Sequence, residues 1–147
     1  MPWFSKGEGS STPATKAVVK AFSGLVIASE DPTFTYLSDS GIGEALIPAN
    51  NQSDPNRYPS SARVINTLWG CAPLGTSAAS TTRFTLYKNG IATAMTCVIP
   101  AASAPGTKAS DTAHSVAIAD GEDFDVRVDV GIIPDNLPVS ATLEGPL

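Results

Sequence analysis

The chain of 147 residues has a single histidine, His114, with Asp111, Thr112 and Ser115 close by in sequence. A nucleophilic triad or a histidine-based metal site would have to be built around that one imidazole. Its place at the start of a short alternating run reads as a surface position among local polar neighbours, and no catalytic role is expected of it. Two cysteines, Cys71 and Cys97, fall in apolar strand-like runs, and no Cys/His grouping has zinc-ligand spacing. They read as buried reduced thiols behaving as small hydrophobes. A Cys71–Cys97 bridge would need neighbouring strands and an oxidising compartment.

Asp120, Glu122, Asp123, Asp125 and Asp129 form the densest charge cluster. Converging carboxylates can hold calcium, but alternate residues of a strand lie roughly 7 Å apart, too far for 123, 125 and 129 to share one ion unaided. Arg127, between Asp125 and Asp129 on the same face, is the simpler partner, so the cluster reads as a solvated or salt-bridged sheet face. The same spacing counts against a paired-carboxylate glycosidase site. Gly41-Ile42-Gly43 and Gly7-Glu8-Gly9 lack the strand-to-helix context of a phosphate-holding loop. The expectation is a non-enzymatic protein with no catalytic residue, no cofactor and no metal.

The elements that must position these side chains are strands. Asn89-Gly90 sits between two apolar-rich runs within residues 83–99, RFTLYKNGIATAMTCVI, and a type I′ turn needs the positive φ these two residues tolerate best. A β-hairpin is predicted there. Residues 123–130 alternate, with Phe124, Val126, Val128 and Val130 on one face and Asp123, Asp125, Arg127 and Asp129 on the other. Residues 62–72 are apolar on both sides, Val64 and Leu68 against Ile65, Trp69 and Cys71. Such a strand is either central in a sandwich or faces another subunit. Residues 16–28 suit a helix or a strand bent at Gly24, and their Val and Ile favour the strand. Short extended pieces at 34–37 and 45–47 are expected at a sheet edge. Val116 and Ile118 point inward, residues 100–112 read as a small-residue loop, 131–138 as loop, and 139–143 as a last short strand.

Only 16% of residues are charged, the formal charge is −5, and there are 12 glycines and 12 prolines. This composition suits short strands and turns, and an acidic surface with scattered Lys and Arg excludes a nucleic-acid-coating role. No stretch approaches the roughly 20 apolar residues of a membrane span, and the N-terminus lacks the apolar segment of a secretory signal. One domain, residues 16–147, is expected, all-β, with eight or nine short antiparallel strands in the pattern of a β-sandwich or jelly roll. Residues 1–15 are expected to be an extended N-terminal arm, flexible or docking, with Trp3 and Phe4 at its tip.

The succession ARVINTLWGCAPLG, TTRFTLYKNGIATAMTCVI and SDTAHSVAIADGEDFDVRVDV, residues 62–130, resembles the C1q/TNF-like jelly-roll modules of tailed-bacteriophage structural proteins. The matching hairpin residues are Thr85, Leu86, Lys88, Asn89 and Gly90, and the closing residues are Asp120, Gly121, Glu122, Phe124, Val126 and Val128. Glu122 stands where the pattern has Asp. The resemblance implies a capsid decoration or cement protein of the virion, made in the host cytoplasm, associating as a homotrimer and binding the major capsid protein. Ile65, Trp69, Met95 and Ile99 are the expected subunit interface, with Trp3 and Phe4 clamping the capsid. The alternative is a receptor- or carbohydrate-binding tip of a tail fibre or spike, with Tyr36, Tyr58, Tyr87 and residues 50–57 exposed.

Overall fold

A computed structural model describes residues 16–26, 33–39, 58–59, 62–131 and 136–146. All regular elements among them are strands: β1 (Lys16–Val26), β2 (Thr33–Tyr36), β3 (Ser38–Asp39), β4 (Tyr58–Pro59), β5 (Arg63–Ile65), β6 (Thr67–Ala72), β7 (Thr82–Lys88), β8 (Ile91–Ile99), β9 (Thr107–Asp111), β10 (Val116–Ile118), β11 (Asp123–Val130) and β12 (Leu137–Pro146). No helix among the described residues is long and apolar enough to cross a membrane. The arm with Trp3 and Phe4, the piece at 45–47 and the loop at 50–57 lie outside the described residues.

The ladders are antiparallel and nested. β7 pairs with β8, β6 with β9, β5 with β10, β2 with β11 and β1 with β12. The chain is therefore one long ribbon doubled back at the Asn89-Gly90 turn. Rolling the ribbon brings β12 beside β6 and β11 beside β7. The result is two packed sheets, β3-β1-β12-β6-β9 in front and β2-β11-β7-β8 behind, with β4 against β11 and a separate β10-β5 ladder. That is a jelly roll.

Both residues of the turn have positive φ, 53° at Asn89 and 77° at Gly90, and Lys88 faces Ile91 across it. The expected two-residue hairpin is present. β1 is a strand throughout, although its register against β12 shifts between Val18 and Lys20. Every second residue of β12 from Leu137 to Leu143 is buried, and β11 buries Phe124, Val126, Val128 and Val130. These meet Phe22, Leu68, Phe84, Leu86, Met95 and Ile99 in one core. Each such side chain removed from water contributes about 1.5–3 kcal/mol.

Four expectations need correction. The alternation through residues 62–72 breaks at Asn66: Ile65 points inward on the β5 ladder, Asn66 N–H bonds Glu144 O, and β6 then runs on against β12 with Leu68 inward and Trp69 outward. One residue spent on changing partners moves Leu68 onto the same side as Ile65. The stretch at 100–112 contains β9, which pairs with β6 from Leu68↔Asp111 to Ala72↔Thr107. Its small polar residues suit the exposed edge it occupies. The last strand is long and central, beginning at Leu137 and including Pro138 opposite Leu25. Asp125 is wholly buried, so it does not belong to a solvated face.

At Gly70 the front sheet lies directly against Phe84 of the back sheet. A Cβ there would stand 2.3–2.8 Å from three ring atoms of Phe84, itself fully buried. Gly70→Ala is therefore expected to destabilise by about 2–3 kcal/mol through overpacking, read as a lower urea midpoint at unchanged slope. An unaltered midpoint would show that the sheets can part there without cost.

Candidate functional site

Three polar assemblies and two surface faces are candidates for function. The first assembly is at His114. Asp111, at the end of β9, is buried, and its Oδ1 accepts from the N–H groups of Ala113 and His114 at 2.9 and 3.2 Å. Its Oδ2 accepts from Thr96 N–H at 3.0 Å and from His114 Nδ1 at 2.7 Å, the carboxylate being acceptor only. Burial would raise the Asp111 pKa, but the bonds from Thr96, His114 and Ala113 outweigh it, and the net shift is downward from 3.8. Burial pushes the Cys97 thiol up to about 12, and the Asp111 carboxylate adds to that effect.

Cysteine, histidine and aspartate thus come near one another, but the imidazole is aimed at the carboxylate. The thiol stays protonated, which disables it as a nucleophile. The Asp111 group is a clasp between β9 of the front sheet and β8 of the back sheet. Cys71 and Cys97 are both free.

The second assembly unites two motifs read separately in the sequence. Asn89 Nδ2 donates to Glu122 Oε2 at 2.8 Å, and Asn89 Oδ1 accepts from Asp123 N–H at 2.9 Å. Glu122 Oε1 accepts from Ala119 N–H at 2.7 Å and lies 3.2 Å from Lys88 Nζ. The Ala119 bond lowers the Glu122 pKa most, with the Lys88 and Asn89 contacts adding to it. The hairpin tip is thereby stitched to the 119–123 turn. Glu122, the departure from the resembling pattern, fills this position with its longer side chain. The third assembly is Arg127, whose Nε and Nη2 both bond Asp129 Oδ1, at 3.0 and 2.7 Å, while its guanidinium lies 5.4 Å from the Tyr87 ring centre. Among the described residues no three His, Cys, Asp or Glu side chains converge on a point that could hold a metal ion.

On the outer face of the front sheet, register sets two rows across four strands: Ala21, Thr142, Trp69 and Ser110, then Ser23, Ser140, Cys71 and Lys108. Trp69 is 39% exposed, and its Nε1–H bonds Glu144 Oε1 at 3.2 Å. Val18, opposite Glu144 in register, is 61% exposed. Of the expected interface residues only Trp69 is at the surface. Ile65, Met95 and Ile99 have no exposed area and belong to the core. Met95 and Ile99 on β8 and Ile65 on β5 all join the one core, so they do not exceed what one sandwich interior uses.

The outer face of the back sheet carries an open groove of about 680 Å³ across β11, β7 and β8. Its floor is the Arg127, Thr85 and Thr96 row, bounded by Asp129 and Arg83 on one side and Tyr87 and Ala92 on the other. Of the exposed recognition surface expected from sequence, Tyr87 lies here, Tyr36 and Tyr58 are on β2 and β4, and residues 50–57 are outside the described residues. The outward series Arg83, Thr85, Tyr87 was the available signal for this groove.

No family model and no curated protein matches the chain. Among solved structures it is similar to one of broad bean stain virus, at 12% identity and a TM-score of 0.46, covering 90% of this chain and 86% of that one. It is also similar to Eiger TNF from S. frugiperda, at 7% identity and a TM-score of 0.35, covering 84% and 91%. The jelly roll is defined by the strand order of the two sheets.

Two outcomes test the assemblies. Asn89→Ala removes the acceptor for Asp123 N–H and puts alanine, which tolerates positive φ less well than asparagine, in the left-handed region, so it should cost about 2 kcal/mol in urea unfolding, whereas Asn89→Gly should cost only about 1 kcal/mol. Equal costs would mean that the left-handed backbone contributes nothing. For Asp111, a folded pKa below the unfolded one gives stability that is complete above 3.8 and is lost as pH falls through the folded value. The urea midpoint of the wild type should fall on acidification through that window, and Asp111→Asn should lack this component. Parallel pH profiles for the two proteins would remove Asp111 from the account.

Proposed function

We propose that this chain is a non-enzymatic structural protein of a tailed-bacteriophage virion, a capsid decoration protein. It associates as a homotrimer through the Trp69 face and binds the major capsid protein lattice, stabilising the head. The observation that carries this reading is the state of Trp69. A large ring stands half-exposed among small hydroxyl side chains, and its N–H is already satisfied by Glu144. Covering that ring leaves no orphaned donor, so the usual penalty for burying an indole is absent. Removing its remaining exposed area from water is worth about 2 kcal/mol per copy before ordering costs. Small side chains around a single aromatic anchor also let a neighbouring copy approach closely, the arrangement typical of interface hot spots.

The resemblance of residues 62–130 to phage jelly-roll modules supports the same reading, and the aromatic arm supplies a second contact, to the capsid. Many weak attachments repeated over a shell would reinforce the particle collectively.

Light scattering of the purified chain should give three times the 15.1 kDa monomer mass. Trp69→Ala should shift the protein to monomer while keeping its melting transition, and the wild type should co-sediment with purified heads. A wild type that stays monomeric and does not co-sediment would refute this function.

A further inference from the structure

We infer that the groove on the outer face of the back sheet is a saccharide site that takes an internal stretch of a neutral pyranose polysaccharide. This goes beyond the assembly role and does not rest on it, because the groove lies on the opposite face of the sandwich from Trp69.

The donors and acceptors lining the groove select the ligand. Thr96 Oγ1–H donates to Phe84 O at 2.7 Å. That hydroxyl has one hydrogen, so in the 3.3 Å contact between Thr85 and Thr96 the donor is Thr85. The Thr85 oxygen therefore keeps its lone pairs as acceptors at the groove floor. Asp129 receives both Arg127 N–H groups on Oδ1, which leaves Oδ2 as a second acceptor. Arg83, exposed and directly across from Asp129 in register, brings the donors. Acceptors and donors thus alternate over a short distance on one rigid sheet.

A sulfate only accepts, and it would meet the Thr85 lone pairs and the Asp129 carboxylate; a phosphate at neutral pH keeps an O–H but sets its negative charge against that same carboxylate. An ammonium only donates, and it would meet Arg83. A vicinal diol does both at adjacent atoms, as along the edge of a pyranose ring. Preorganisation favours the same ligand: Arg127 is fixed between Asp129 and the Tyr87 ring, so little side-chain freedom is lost on binding. The volume of about 680 Å³ falls within the roughly 300–1,000 Å³ of small-ligand sites. The groove is open, which suits a stretch of chain passing through and not a sealed monosaccharide.

The test is titration calorimetry of the full chain with dextran, galactan and mannan hexasaccharides, with inorganic phosphate as the control. At least one hexasaccharide should bind with Kd below about 1 mM, and phosphate should not bind. Thr85→Val, nearly isosteric and suited to a strand, should weaken that binding at least about tenfold by removing a buried acceptor. Arg83→Ala, at an exposed position that does not threaten folding, should do the same. Absence of binding by all three sugars, phosphate binding as tight as sugar binding, or wild-type affinity in both variants would overturn the inference. A chain that binds sugar as a monomer would leave this site standing while removing the trimeric assembly.

Discussion

The structure depends on closure of a ribbon upon itself. β12 hydrogen-bonds to β1 along one edge and to β6 along the other, so the two ends of the described chain meet in the middle of the front sheet. Without that central strand, β1 would have β3 alone and β6 would have β9 alone, and each would present an open ladder to solvent. The alternating burial of β12 follows from this position, one face against the core and the other contributing to the Trp69 surface. The apolar contribution of the core is large only because both sheets exist, and the front sheet exists only because β12 closes it.

Within this frame polar groups act as fasteners between elements. Asp111 ties β9 to β8, joining the two sheets at one edge, and Asn89 with Glu122 ties the ribbon tip to the turn before β11. Both use backbone N–H groups that would otherwise end a ladder unpaired. Their chemistry is therefore spent on architecture. The lone histidine is engaged by the Asp111 carboxylate, and the one fully interior thiol is held protonated. What stays open to solvent is the two outward sheet faces, one organised around an aromatic ring and the other around an arginine–aspartate pair.

The parts of the fold legible in the sequence were those where a single local rule decides. Asn89-Gly90 could hardly be other than a two-residue turn, and the alternation from Phe124 to Val130 could hardly be other than a half-buried strand. What escaped was set by distant partners. The stretch containing Thr107–Asp111 has no apolar period because an edge strand needs none. Pro138 reads as a breaker, but its position opposite Leu25 tolerates it. At Asn66 the chain changes ladders, which no pattern within residues 62–72 announces, and that change turned Ile65 inward and left Trp69 outside. Asp125 follows the charged alternation of its strand yet is covered. For the candidate site the sequence identified Trp69 and Tyr87, while Thr96, Arg127 and Asp129 join Arg83 and Thr85 only once three strands are set side by side.

Nested pairing also orders events in time. Contacts at the Asn89-Gly90 tip join neighbours in sequence, whereas Lys16 reaches Pro146 only after nearly the whole ribbon is in place. During synthesis the tip, the Asp111 clasp and the back-sheet ladder of β7 and β8 can be assembled while β12 is still within the ribosome. The front sheet cannot. A chain whose β12 has not emerged therefore has no finished front sheet, and Trp69 then sits on a β6-β9 ladder in place of a continuous face.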